Sequence, residues 1–267
     1  MKSFFLIVIL LLIVNLVFSQ ENDSLIVIQS PTGRLSGLIN IQDLGNGETS
    51  PGEKKFEGNW AGVEFGINGF ANASYNSYAN PDDHFMNNDL IRSNLLNLNI
   101  LQYSRGIQQI RNNIGLVTGL GLCFQSYHFN DNTTIIIDEN RKVQPSVLYF
   151  DSSQKSKLSV LYLNVPLLFE VQIPINHVNN RLYISTGITG SKRLEAHTKI
   201  KYRKDGEKEK VKSPGSYSIN SYKVAATFRI GYRRANLFAT YDLVPLFEHY
   251  KGPVLYPFSA GIRLISF

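Results

Sequence analysis

Six segments of this 267-residue chain alternate apolar with small or polar side chains at a period of two. That rhythm constrains the fold more than any other feature, because only an extended strand sends successive side chains to opposite faces. Ala61, Val63, Phe65 and Ile67 share one phase, and Gly62, Glu64, Gly66 and Asn68 the other. Leu161–Val171, Leu182–Thr189, Lys223–Ile230, Leu237–Val244 and Phe258–Leu264 repeat the pattern. Two segments are less regular. In Ile114–Phe129, Leu116, Leu120, Leu122 and Phe124 oppose Gly115, Gly119, Gly121, Cys123 and Gln125. Leu96–Ile107 starts in phase with Leu98 and Ile100 and then slips to Leu101 and Tyr103, as a β-bulge would make it do. Eight strands are expected.

The connections fall into two classes that alternate along the chain. Gln108–Asn113, Pro174–Asn180 and Arg233–Asn236 are short; Ala71–Asn94, Asn130–Lys157, Arg193–Asn220 and Leu246–Leu255 are longer and carry most of the charge. An even strand count with short turns at one end and long loops at the other is the pattern of bacterial outer-membrane barrels. The sequence therefore predicts an all-β fold, an eight-stranded antiparallel up-and-down transmembrane β-barrel over residues 57–267, with both ends on the short-turn side. Thr133–Ile137 and Val147–Phe150 keep strand character, so strands in the longer hairpins are expected to run past the membrane.

Alternation alone does not say which face is outside. A soluble lipocalin-like carrier is also an eight-stranded barrel, with its apolar side chains inside, and Gly58-Asn59-Trp60 mimics the Gly-x-Trp of such proteins. The other face decides. It is mainly Gly, Ser, Thr, Asn and Tyr with about one charge per strand, unlike the Lys/Glu coat of a soluble surface. Small residues and sparse charges suit a crowded lumen, where charges need partners. Glu64 and Arg263 become neighbours when the barrel closes, Arg229 and Asp242 face each other diagonally across the Arg233–Asn236 hairpin, and Glu170 and Lys223 are the remaining strand charges. Trp60, Tyr127, Phe129, Tyr222, Tyr232, Tyr256 and Phe258 near strand ends are expected to form interfacial girdles. The terminal Phe267 fits the aromatic end of such barrels, although it shares the phase of Arg263.

The first residues read as an address. Met1-Lys2, an apolar run from Phe4 to Val17 broken only by Asn15, and the small exit before Gln20 describe a signal peptide over 1–19. A spanning helix would need about 20 apolar residues, and no cysteine stands at the exit to make a lipoprotein. Residues 20–56 are polar and rich in Gly and Pro, an extended periplasmic lead segment with one candidate strand at Leu25–Ile28. The single cysteine, Cys123, excludes an internal disulfide and multi-cysteine metal sites, and is expected to face the interior. The net charge of +6 is too modest and too dispersed for a nucleic-acid binder. The expected location is the outer membrane of a Gram-negative bacterium.

Three motifs carry a family likeness. Phe56-x-Gly58-Asn59-Trp60-x-Gly62-x-Glu64-x-Gly66-x-Asn68-x-Phe70 resembles the opening strand of the PorT-like outer-membrane β-barrel family. Gly115-Leu116-Val117-Thr118-Gly119-Leu120-Gly121-Leu122 resembles its third strand, and Leu163-Asn164-Val165-Pro166-Leu167-Leu168 its fourth. The likeness covers roughly residues 56–267. It implies the barrel and a place beside a protein-secretion system, and it brings no catalytic residues.

Signs of chemistry are sparse. The five histidines, His84, His128, His177, His197 and His249, show no metal-binding spacing, and no nucleophile or phosphate-loop motif is present, so neither metal nor cofactor is expected. Asp82-Asp83-His84 is the one loop cluster that an acyl-transfer enzyme of the membrane surface could use. Lys199, Lys201, Arg203, Lys204, Lys208, Lys210 and Lys212 crowd the third long loop against Asp205, Glu207 and Glu209. Outside the cell they would face outer-membrane lipid, notably the phosphates of lipopolysaccharide, unless the hairpin is only a solubilising loop of mixed sign. The expectation is a non-enzymatic envelope protein, structural or accessory to a secretion complex, touching its partners through the outer loops or the lead segment. A lipid-modifying enzyme and a soluble carrier are the alternatives.

Overall fold

Backbone groups in a strand need partners on both sides, and an antiparallel sheet leaves none unmet only when it closes on itself. This chain closes. The structure, a computed structural model, describes residues 56–78, 84–108, 112–130, 133–146, 154–175, 181–204, 207–233 and 235–266. The expected signal peptide, the lead segment up to residue 55, Val147–Phe150 and Phe267 lie outside the described residues. Eleven strands form among them: β1 (Gly62–Ser74), β2 (Asn94–Gly106), β3 (Ile114–His128), β4 (Thr134–Ile137), β5 (Val143–Ser146), β6 (Lys155–Pro174), β7 (Arg181–Lys204), β8 (Glu207–Pro214), β9 (Tyr222–Tyr232), β10 (Ala235–Asp242) and β11 (Val254–Ile265). Eight of them make the barrel, in the order β6-β3-β2-β1-β11-β10-β9-β7, and β7 pairs back onto β6. All pairings are antiparallel.

The three additional strands sit at the long-loop end. β4 and β5 form a separate hairpin, so the strand character of Thr134–Ile137 is satisfied outside the barrel wall. β8 folds back along the far half of β7, so that β6, β7 and β8 rise beyond their neighbours as a three-stranded ribbon. The irregular second strand has its bulge where the hydrophobic phase slips: Asn99 faces Gly121 and Leu101 faces Leu120, leaving Ile100 unpaired. A second bulge, at Leu194, resets the phase of β7 against β6.

The apolar phase points outward. Phe65, Leu116, Leu167, Ile188, Phe228, Leu237, Ile262 and Leu264 are all exposed, between 44% and 59%. From Ile114 to Phe124 the outer side of β3 is free of charge for about 11 residues, the length a tilted strand needs to cross a hydrocarbon core. The opposite phase is buried. At the long-loop end Tyr75, Phe85, Met86, Tyr127, Phe129 and Leu246 pack into a roof. Hydrogen bonds tie the loops of that roof together, from Tyr78 Oη to the Val143 carbonyl at 2.6 Å and from Ser218 Oγ to the Arg141 carbonyl at 2.6 Å.

The expected girdle needs correction at three positions. Tyr127 and Phe129 belong to the roof, because they share the inward phase of Cys123. Trp60 is also inside, 4% exposed, since the chain before β1 turns into the lumen. Tyr232 and Phe258 remain on the outer wall, half-buried, in the outward phase of β9 and β11.

Candidate functional site: the lumen and the basic outer face

At the short-turn end, residues 56–61 fill the lumen as a plug. Phe56 and Trp60 pack against Val117 and Leu168. The glycines of β3 make the room: a Cβ on Gly119 would stand 2.6 Å from the Trp60 ring, and one on Gly115 would stand 2.4 Å from Phe56. An extended segment inside a barrel must find partners for its own backbone. Gln102 accepts from the N–H groups of Trp60 and Ala61 at 2.7 and 2.8 Å, and donates to the Gly58 carbonyl at 2.8 Å. Asn99 donates to the Trp60 carbonyl at 3.1 Å, and Gln172 to that of Glu57 at 2.5 Å. Glu170 receives the Asn59 side-chain amide at 2.7 Å and its backbone N–H at 3.1 Å.

All six expected strand charges are buried in the lumen, none more than 8% exposed. Their partners differ from those the sequence suggested. Arg229 bridges to Glu64 across the lumen, from β9 to β1, strands that are not neighbours in the wall. Asn97 donates to the same carboxylate at 2.9 Å. Asp242 pairs with Lys223 at 2.8 Å. The register explains the change, since Asp242 lies opposite Ala225. Lys223 is thus two residues away on the diagonal, whereas Arg229 is four residues away, about 13 Å along the strand. Arg263 does face Glu64 in register, yet its guanidinium donates to Asn236 at 3.0 Å and to Tyr183 at 3.3 Å. Lys223 also donates to Gln125 at 3.2 Å and stands over the Tyr162 ring at 4.5 Å. Cys123 is a buried free thiol in the same layer.

The third long loop is mostly strand. Lys199, Lys201 and Arg203 on β7 pair with Lys212, Lys210 and Lys208 on β8. Side chains alternate along each strand, so these six basic residues share one face of the ribbon. Tyr202 and Glu209 take the other face, joined by a hydrogen bond of 2.6 Å. Lys204 closes the hairpin opposite Glu207. The mixed sign seen in sequence is therefore sorted by face. Two residues join the basic side that sequence reading assigned to a loop: Lys155 pairs with Lys201, and Lys157 with Lys199. The signal that could have found them is the period of two in the lysines themselves.

Below this basic face lies a small polar cluster. Lys157 Nζ donates to Ser126 Oγ at 3.3 Å, and Ser126 Oγ stands 3.1 Å from Ser159 Oγ. Ser159 pairs in register with His197, whose Nδ1 is 3.4 Å from Glu195. Burial and the neighbouring Lys199 and Lys201 hold the Lys157 ammonium below its ordinary range. Burial and Lys212 do the same for His197. Of the Asp82-Asp83-His84 cluster only His84 is among the described residues, stacked on Tyr75 at 5.0 Å. Among the described residues no three His, Cys, Asp or Glu side chains converge as a metal site. No family model, curated protein or solved structure matches the chain.

Proposed function

We propose that this chain is an outer-membrane β-barrel of PorT-like type, exported by the signal peptide at 1–19 and serving as a non-enzymatic element of the cell envelope, accessory to a secretion or envelope complex. The observation that carries this reading is the outer wall. Apolar side chains of all eight barrel strands face outward in one belt while the charges turn inward, an arrangement that suits lipid as the surrounding solvent. It inverts the arrangement of a soluble carrier, and the lumen holds ion pairs, a plug and a roof where a carrier would keep an apolar cavity. Interaction with partner proteins is left to the loops above the roof and to the lead segment 20–56.

Membrane fractionation tests the proposal. The protein should resist alkaline extraction, require detergent, and migrate faster unheated than heated in a denaturing gel, as closed barrels do. Recovery in the soluble fraction without detergent would overturn it.

A second reading has its own observation, the Ser126–Lys157 hydrogen bond beside Ser159 and the His197–Glu195 pair. A lysine with a lowered pKa next to a serine hydroxyl is a form of activated nucleophile, and its position above the apolar belt would suit an acyl ester of a membrane lipid. Under this reading the purified protein would release fatty acid from lipopolysaccharide or phospholipid, and Ser126→Ala would abolish the release. No release by the wild type would remove this reading and leave the first.

A further inference from the structure

Six lysines stand on the outer face of the ribbon in two cross-strand rows, Lys157–Lys199–Lys212 and Lys155–Lys201–Lys210. Directly opposed strand residues are about 5 Å apart, and successive residues on one face about 7 Å. The ammonium groups therefore crowd a patch roughly 10 Å by 7 Å at their base. Like charges in direct opposition destabilise a sheet, yet among the described residues Glu195 is the one carboxylate bridged to any of the six, reaching Lys212 at 3.3 Å. Both described glutamates of β8, Glu207 and Glu209, fall on the other face. The fold thus concentrates positive charge on one face instead of balancing it.

The location matters as much as the charge. Along β6 the lysines share the phase of Leu161, Leu163, Val165 and Leu167, with no bulge in that strand. The basic face is the direct continuation of the apolar wall. Lys157 lies four residues beyond Leu161, about 13 Å of strand, and so stands at headgroup level when the wall lies in hydrocarbon.

We propose that this lysine lattice binds the phosphate groups of phosphorylated lipid headgroups, those of the leaflet at the long-loop end, clamping the barrel laterally to that leaflet. The inference deepens the membrane reading and rests on it. Anions on the face relieve the repulsion that the fold otherwise carries; burial first, and then Lys199 and Lys201, depress the Lys157 ammonium. Planar phosphate-rich headgroups can meet several lysines at once, whereas a single free phosphate meets two or three.

The test uses the full-length mature protein folded in detergent, titrated with purified lipopolysaccharide and with the same material after enzymatic dephosphorylation. Insertion into neutral phosphatidylcholine vesicles is measured alongside. The proposal expects tight binding of the phosphorylated form, weakened by salt, and roughly tenfold or greater loss for the Lys199→Gln/Lys201→Gln/Lys210→Gln/Lys212→Gln variant. Equal binding of the dephosphorylated form overturns it, and so does unchanged affinity of the variant. Displacement by millimolar inorganic phosphate would make the lattice a free-phosphate site and overturn the lipid assignment. If the variant does not fold, the salt series on the wild type decides: affinity that is flat in salt refutes the lattice. Failure of the wild type to enter any vesicle or micelle is the separate outcome that defeats the membrane reading itself.

Discussion

Arg229 and Glu64 meet from opposite sides of a lumen only a few side chains wide, each nearly inaccessible to solvent. Removing one member of such a pair strands the other charge at low dielectric, a loss of about 3–5 kcal/mol, whereas removing both with side chains of similar volume is close to neutral. Arg229→Met alone should therefore lower the urea-unfolding free energy in micelles by about 3 kcal/mol, and Glu64→Gln/Arg229→Met should recover most of it. Additive losses in that double-mutant cycle would mean that the two side chains do not share an interaction. Gly119 offers a second residue-scale test. A Cβ there would lie 2.1 Å from the Leu101 carbonyl oxygen and 2.6 Å from the Trp60 ring, so a side chain must displace backbone or indole. Trp60 is the chain's single tryptophan. Gly119→Val should shift its emission to the red as the ring leaves the lumen; an unchanged spectrum would place the ring elsewhere.

At the level of strands, period-two hydrophobicity revealed all eight staves of the barrel and the bulge at Ile100, because the wall is sorted by one physical variable, apolar against not. The ribbon is sorted by charge, at the same period, across Lys155, Lys157, Lys199, Lys201, Lys210 and Lys212. It escaped a reading that took charged stretches for loops. Ion partners were illegible for a different reason: Arg229 and Glu64 are joined across space by strands that share no edge, and neither spacing nor hairpin diagonals encode that. Trp60 was misplaced because the plug before β1 is held by Gln102, Asn99 and Glu170, and polar anchors of that kind leave no periodic trace. Two histidines beside the ribbon lysines give this end of the molecule a pH dependence. His197, facing Glu195, Lys212 and Lys157, and His128, facing Lys157, Arg92, Asp89 and Lys201, are both held below the ordinary imidazole range, first by burial. As pH falls through about 6.5, the unfolded chain takes up protons that the folded one refuses, so stability present above that pH is lost. Asp138, held below the ordinary carboxylate range by hydrogen bonds from Lys142 and Gln144, loses its contribution only on further acidification. Limited proteolysis of the β7–β8 hairpin in detergent should accelerate between pH 7.5 and 5.5, and His128→Gln/His197→Gln should flatten the change. Acceleration that persists in that variant would assign the effect to other groups.

Over the whole molecule, three layers stand between the two ends of the lumen: the Phe56–Ala61 plug, the charged middle with Glu64–Arg229 and Lys223–Asp242, and the aromatic roof. The plug is held by packing and backbone hydrogen bonds, the middle by ion pairing and the roof by packing of a separate set of side chains, so no single lesion should remove all three. An eight-stranded barrel has an interior just wide enough for side chains to fill, and a lumen filled this way is closed rather than a conduit. The wild type reconstituted in planar bilayers should give no steady channel steps. Phe56→Gly/Trp60→Gly should lose several kcal/mol of stability, since truncating a buried aromatic costs about 3–5 kcal/mol, while the barrel stays electrically silent because the middle layer and the roof persist. Silence with a lowered urea midpoint is the expected pair of readings. Steady conductance from this variant would make the plug the sole barrier, and the short-turn end the place where the lumen opens.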